Sequence, residues 1–234
     1  MVKVALCFFG QPRYINNKNI PMSYHNEFSK PEYQIDTFGH CWYGKDAIYS
    51  SSSWTQNHTD YKADGDTLKN LHSYYNFGSL LVERPMNFQL PSEDMREHYR
   101  STCSNHSINF TAMRESNTLS QLFSIQTVSR IVPDIFDFYV LCRYDTIISR
   151  VPDLTKADKN KLYLCNMGLF PDPIIVFGKK FLNWSRNQFD NTMTRIYNVD
   201  GFMPEQFKMH TFLERHSWDD VVHCDMWATI QREE

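Results

Sequence analysis

Residues 136–148 read FDFYVLCRYDTII, and the fold turns on them. Tyr139, Val140, Leu141 and Cys142 form a continuous apolar run. That is the pattern of a strand buried on both faces, as in the centre of a parallel sheet. Two opposite charges, Arg143 and Asp145, follow at once, and apolar residues resume at Ile147 and Ile148. A carboxylate brought into such surroundings has to be paired, hydrogen-bonded or metal-bound. In open α/β sheets the carboxyl ends of the strands are where ligands bind. Two readings of Asp145 therefore stand side by side. It is a functional carboxylate at a ligand site, or one half of an internal ion pair with Arg143 that holds a loop.

Working outward, apolar runs alternate with helical spacing. Residues 2–9 predict a first strand closed by the turn Gly10-Gln11-Pro12-Arg13. A polar helix or irregular segment extends to about Pro31, and 35–42, IDTFGHCW, predicts a second strand. Residues 44–65 are rich in Ser, Asp, Asn and Tyr without a period, so a long surface loop with one helical turn is expected. A short helix at 68–75 and a strand at 80–83 follow, then a polar, irregular stretch over 90–116. Leu119, Leu122, Phe123, Gln126, Val128 and Ile131 give helical spacing behind a cap at Asn117 or Thr118, with Pro133 as the stop. Strands at 162–165 and 174–177 and helical segments at 181–197 and 204–215 complete the pattern. The chain reads as one α/β domain over 1–234, with a polar inserted loop around 44–66.

Composition narrows the class. Hydrophobic residues make up 41% and charged residues 22% of 234, ordinary for a globular enzyme. Seventeen Phe, 13 Tyr and 5 Trp supply a large core and an aromatic-lined cleft of the kind on which sugars and bases stack. A formal charge of -3, with no dense Lys/Arg block, argues against a nucleic-acid partner. Six cysteines occur without a C-x-x-C pair, and three sit in apolar runs. They read as small buried hydrophobes in a reducing compartment, although an even number leaves disulfides open. The amino-terminal apolar run is short and ends in GQPR without a small-residue cleavage site, so it reads as a strand. No segment has the length of a transmembrane helix. A cytoplasmic location is expected, where the N-x-S/T sites at Asn57, Asn105, Asn109 and Asn183 carry no glycan.

Four short motifs in order carry a resemblance. Gly10, Gln11 and Arg13 form G-Q-x-R; Asp36, Phe38, His40 and Trp42 form D-x-F-x-H-x-W. Ser120, Gln121 and Ser124 form S-Q-x-x-S, and Arg143, Tyr144 and Asp145 form R-x-D. Together they resemble a group of glycosyltransferases with a GT-A-like fold, found in bacteria, phages and large DNA viruses. The resemblance spans about the first three-quarters of the chain, with a looser match at PEQF, Pro204 to Phe207. It implies a Rossmann-like α/β fold, a mixed, mainly parallel sheet flanked by helices. It also implies hexosyl or pentosyl transfer from a UDP- or GDP-sugar donor to a glycan or other hydroxyl acceptor.

Such transfer breaks a C–O bond while charge builds on the leaving diphosphate, which needs a cationic clamp. GT-A enzymes hold Mn²⁺ or Mg²⁺ on a D-x-D motif. Here Arg143 replaces the first carboxylate, so Asp145 is the expected metal ligand, and Arg143 can take part of the phosphate charge. Gly10, Gln11 and Arg13 are expected to bind the donor: glycine allows close backbone approach, Gln11 hydrogen-bonds base or ribose, and Arg13 reaches phosphate. The alternative is a plain turn with a solvated arginine. His40 and Trp42 share one strand face, where a core histidine with satisfied nitrogens and a packing tryptophan are the ordinary outcome. For an acceptor-activating carboxylate, Asp172 in the turn FPDP comes first and Glu205 at a helix start second. An acid at that place also stabilises a helix without catalytic duty. Asp219 and Asp220 with His216 and His223 read as a solvated terminal helix rather than a metal cluster. Two other functions stay in view, a non-catalytic glycan- or protein-binding module on the same fold and a glycoside hydrolase.

Overall fold

The computed structural model describes residues 1–45, 47–50, 60–62, 65–90, 92–103, 112–165, 170–171, 173–195 and 203–231. Strand β1 (Val2–Gly10) is buried from Val4 to Phe9 because its run is apolar on both faces. Side chains alternate along a strand, so Val4, Leu6 and Phe8 enter one hydrophobic cluster and Ala5, Cys7 and Phe9 another. The first cluster takes Ile20, Tyr24 and Phe28 from α1 (Asn19–Phe28) and Leu71 and Tyr75 from α2 (Thr67–Tyr75). The second takes Ile125 and Val128 from α4 (Ala112–Ile131) and Phe212 from α7 (Pro204–Leu213). Helices thus cover both faces of the sheet.

On one side β1 pairs in parallel with β2 (Tyr33–Trp42), and β2 with β5 (Ser79–Glu83). On the other it pairs in parallel with β6 (Phe138–Arg143), the strand quoted at the outset. Beyond β6 lie β9 (Ile174–Gly178), β8 (Leu162–Cys165) and β10 (Val221–Cys224), giving the order β10-β8-β9-β6-β1-β2-β5. Only β9 runs against its neighbours. The sheet is mixed and mainly parallel, flanked by helices and Rossmann-like, with β1 and β6 both interior. A second, two-stranded sheet joins β7 (Thr146–Arg150) to β11 (Trp227–Ile230), antiparallel.

Several local expectations change. Within 44–66 the described residues include a small antiparallel pair, β3 (Ile48–Ser50) and β4 (Asp60–Lys62), while 46, 51–59 and 63–64, where the helical turn could fall, lie outside the described residues. Helix α3 (Glu93–Cys103) lies in the stretch expected to be irregular. Its sequence, EDMREHYRSTC, places Met95, Tyr99 and Cys103 at helical spacing, but that stripe is narrow and set among polar and charged residues. Helix α4 begins at Ala112, ahead of Asn117 and Thr118, which lie inside it. Its first turn is tied down by Glu115, a buried carboxylate that accepts from the Leu90 amide and from Arg96 Nε.

The segment 181–197 breaks into a 3-10 turn (Lys179–Phe181), α5 (Leu182–Ser185) and α6 (Gln188–Arg195). The end of the described chain is a 3-10 turn (Trp218–Asp220) followed by β10 and β11, where a helix was expected. Val221 and Val222 favour extended backbone there. Cys7, Cys41, Cys142 and Cys165 are buried thiols, and burial pushes Cys7, Cys41 and Cys142 up, keeping them protonated. No helix among the described residues is long and apolar enough to cross a membrane.

Candidate functional site

The strand order reverses at β1. From β1 the chain moves to β2 and β5 on one side, then crosses to β6 on the other. Two parallel strands whose connections depart in opposite directions leave a crevice beyond their carboxyl ends, the usual ligand position in open α/β sheets. Phe9 is in register with Arg143, so the turn after β1 and the turn after β6 emerge side by side. The G-Q-x-R and R-x-D motifs, far apart in sequence, occupy that switch point together.

The first turn is bracketed by two left-handed residues, Gly10 with φ 100° and Tyr14 with φ 55°. Glycine tolerates this backbone, whereas for a bulky tyrosine it is strained, and such strain concentrates at functional turns. Between them the Arg13 amide donates to the Gln11 carbonyl at 2.9 Å, so the chain doubles back within three residues. Among the described residues, and apart from Gly10 and its two chain neighbours, no heavy atom lies within 4 Å of the place where a Cβ on Gly10 would stand. The backbone here is open to close approach.

Arg13 and Arg143 meet on Asp145. Arg143 donates from Nε to Oδ1 and from Nη2 to Oδ2, each at 2.8 Å, a two-pronged fork. Arg13 Nη2 adds a third bond to Oδ2, also at 2.8 Å. Arg143 ends β6 and Tyr144 and Asp145 form the turn into β7, so the two side chains close on each other across that turn. The carboxylate is 2% exposed, while the Arg13 and Arg143 side chains are 11% and 17% exposed. Burial alone would push the Asp145 carboxyl up, but the Arg143 and Arg13 guanidiniums outweigh it and hold it below the usual carboxylate range. Burial draws the Arg13 guanidinium down while Asp145 pushes it back up, and it stays cationic at neutral pH. Two guanidiniums and one carboxylate thus form a single charged cluster at the switch point.

The same geometry bears on a divalent cation. Both Asp145 oxygens already accept from guanidinium, and among the described residues no three His, Cys, Asp or Glu side chains are grouped to hold a metal ion. An ion placed on Asp145 would stand next to two like charges. Each unit-charge pair at about 4 Å repels by about 4 kcal/mol at an effective dielectric near 20, and a divalent ion doubles that. With both oxygens so engaged, the donor set among the described residues does not fit a metal ion.

A second set of residues supports the turn from behind. The Gly10 amide donates to Ser124 Oγ at 2.8 Å, Ser124 Oγ lies 2.6 Å from His40 Nδ1, and His40 Nε2 lies 2.8 Å from Glu83 Oε2. Burial draws the His40 pKa down, opposed by Glu83, so the ring is neutral. A carboxylate only accepts, so Nε2 carries the proton; Nδ1 then accepts, and Ser124 donates to it. Each member of the row has one consistent role. Trp42 packs edge-on to His40 and stacks on Phe123, with its Nε1 donating to the Ser120 carbonyl. The D-x-F-x-H-x-W and S-Q-x-x-S motifs therefore act through the Gly10 backbone. Sequence reading noted His40 and Ser124 but not their connection, and nothing in sequence singled out Glu83 as the end of the row.

The remaining candidates are more scattered. Gln11 is half-buried in the turn and offers its carbonyl to Arg13. Asp172 lies outside the described residues. Its neighbours are anchored, the Pro171 carbonyl accepting from Lys208 Nζ at 3.3 Å and the Pro173 carbonyl from the Arg143 amide at 3.3 Å. Lys208, 1% exposed on α7, is a buried cation that the sequence did not flag. Glu205 occupies the first turn of α7 after Pro204, half-buried. Asp220 caps its 3-10 turn with Ser217 and pairs with Lys180, so this acid has structural partners.

Fold and site together define a class: a Rossmann-like α/β protein with a guanidinium–carboxylate cluster at its switch point. Solved structures similar to it include the glycosyltransferase GlyE of Streptococcus pneumoniae TIGR4 in its apo form, at 13% identity and a TM-score of 0.46, over 95% of this chain and 46% of that one. A second GlyE structure matches at 13% identity and a TM-score of 0.43, over 96% and 46%. The apo structure of the bifunctional glycosyltransferase WbbM matches at 16% identity and a TM-score of 0.45, over 95% and 38%. The chain spans less than half the length of each. No family model and no curated protein matches the sequence.

Proposed function

We propose that the protein is a glycosyltransferase that moves a hexosyl or pentosyl group from a UDP- or GDP-sugar to a hydroxyl of a glycan acceptor. One observation carries this: the turn after β1 and the turn after β6, both supplied by the family-like motifs, meet at the switch point in a guanidinium-rich cluster. A leaving diphosphate is the charge such a cluster stabilises. Gly10 lets the donor approach the backbone, Gln11 and Arg13 bind it, and Arg143 faces its phosphates. Asp172 and, second to it, Glu205 are the carboxylates assigned to the acceptor proton. The buried thiols suit the reducing cytoplasm in which we place it.

In a thermal-shift screen, UDP or GDP at about 100 times its dissociation constant adds about 2.7 kcal/mol by linkage. That corresponds to a rise in Tm of about 5–10 °C for a chain of this size. Melting unchanged by any nucleotide or nucleotide sugar would remove the proposal. A second reading, a non-catalytic binding module on the same fold, is favoured by the engagement of both Asp145 oxygens with guanidinium. Nucleotide release from UDP- or GDP-sugars in the presence of glycan acceptors separates the two.

A further inference from the structure

Cys165 ends β8 and Cys224 ends β10, and the two are register partners in a parallel pair of strands. Such partners carry their side chains on the same face of the sheet, on strands about 4.8 Å apart. The packing agrees. Cys165 and Cys224 join the hydrophobic cluster of Phe8 and Tyr144, whereas Leu164 and Val221 join the one on the opposite face. Both are thiols, Cys165 buried and Cys224 half-buried, and the Cys224 Sγ donates to the Leu164 carbonyl at 3.5 Å. Burial pushes the Cys224 thiol up, and Cys165 pushes it the same way, as a close neighbour does. A disulfide joins residues whose Cα atoms stand about 4.4–6.8 Å apart, a window that includes the spacing of adjacent strands. Cys7 and Cys142 fail the same test. They lie on adjacent strands but one register step apart, and they point into opposite clusters.

We propose that Cys165 and Cys224 are a cross-strand thiol pair that closes to a disulfide on oxidation, and that this bond fastens the carboxyl-terminal strands to the sheet. Strand β10 is an edge strand, held by one ladder to β8. Just beyond it begins β11, which pairs with β7 and reaches the Asp145 carbonyl through the Gln231 amide. The bond therefore acts on the segment that runs to the R-x-D turn. The oxidant is a low-molecular-weight disulfide such as oxidised glutathione. The Cys224 thiolate, the more accessible of the two, attacks it, leaving a mixed disulfide and releasing one thiol. The Cys165 thiolate then attacks the Cys224 sulfur and expels the second. One small disulfide is reduced to two thiols, the two protein thiols are oxidised, and their protons pass to the leaving thiolates. A reducing compartment keeps the pair open at rest. This chemistry is independent of what the switch point binds.

The test treats the folded full chain with oxidised glutathione at mildly alkaline pH, blocks remaining thiols with iodoacetamide, and maps the tryptic peptides by mass spectrometry. A linked peptide joining Cys165 to Cys224 is expected as the main disulfide, and dithiothreitol should reverse it. The oxidised protein should melt higher than the reduced one. It should also show amide exchange across β10 slowed by at least about tenfold, because the strand no longer opens on its own. Cys224→Ser, a change at a half-buried edge position, should show none of these effects under the same treatment. A protein that stops at the glutathione adduct on Cys224, that stays unlinked while folded, or that links other cysteines instead, overturns the pair. A Cys165–Cys224 link with unchanged exchange in β10 overturns the fastening. The wild-type peptide map decides the pairing even if the variant fails to fold.

Discussion

Asp145 shows how a residue of one type changes role with its neighbours. A buried carboxylate facing a single cation is a marginal asset, whereas one held by three charge-assisted bonds from two arginines is part of the framework. Removing the carboxylate takes away the counter-charge that the two guanidiniums share. Asp145→Asn is expected to cost about 3 kcal/mol, lowering Tm by about 6–12 °C at neutral pH. The pH dependence follows from the direction of the shift. The folded-state pKa lies below the ordinary value of about 3.9, so the stabilisation is complete above about pH 4 and fades as pH falls through the folded value. Melting curves of wild type and Asp145→Asn should therefore stay apart from pH 7 to about pH 4 and converge below it. A gap of under 2 °C at pH 7 would show that the arginines do not depend on this carboxylate.

Among the elements, β1, β2 and α4 matter as a set because the row from Gly10 to Glu83 crosses all three and ends on β5. Gly39, the unspecified residue ahead of His40, belongs to the same logic. A Cβ there would lie 2.6 Å from the Tyr144 hydroxyl, so the second strand must be bare where the R-x-D tyrosine crosses it. Ser124→Ala would strand both the Gly10 amide and His40 Nδ1, and a buried polar group left without a partner costs about 1–3 kcal/mol. The expected result is a loss of that size in urea denaturation, with weaker nucleotide binding because the Gly10 turn loosens. Unchanged stability would mean that the row is incidental to the turn.

For the whole molecule the far end of the chain matters to the site. β11 pairs with β7, and the Gln231 amide donates to the Asp145 carbonyl at 2.7 Å. Met226 and Ala228 are buried in the cluster that also holds Phe8 and Tyr144. The carboxyl-terminal strand is thus a strap over the R-x-D turn. A chain ending at Asp225 should lose amide-exchange protection across β7 and bind nucleotide less tightly. Persistent protection of β7 in that truncated chain would show that α1, which packs against the strand, is sufficient to hold it.

Apolar runs and turn residues were enough to read the central strands, the α/β class and the two charged turns. VALCFF and YVLC bury both faces, and that pattern is local to the strand itself. Helix α3 was missed because its stripe, Met95, Tyr99 and Cys103, is narrow within a polar sequence, and α4 started earlier than its cap signal because Glu115 meets Leu90 and Arg96 from another segment. At the site, sequence named Gly10, Gln11, Arg13, Arg143 and Asp145 but left two roles open for the carboxylate. Only the tertiary structure brought Arg13 to Asp145 across 132 positions and covered the carboxylate while leaving the arginines within reach of solvent. Which charge is covered depends on burial and on through-space pairing between strands, and neither is a property of a residue and its neighbours in sequence.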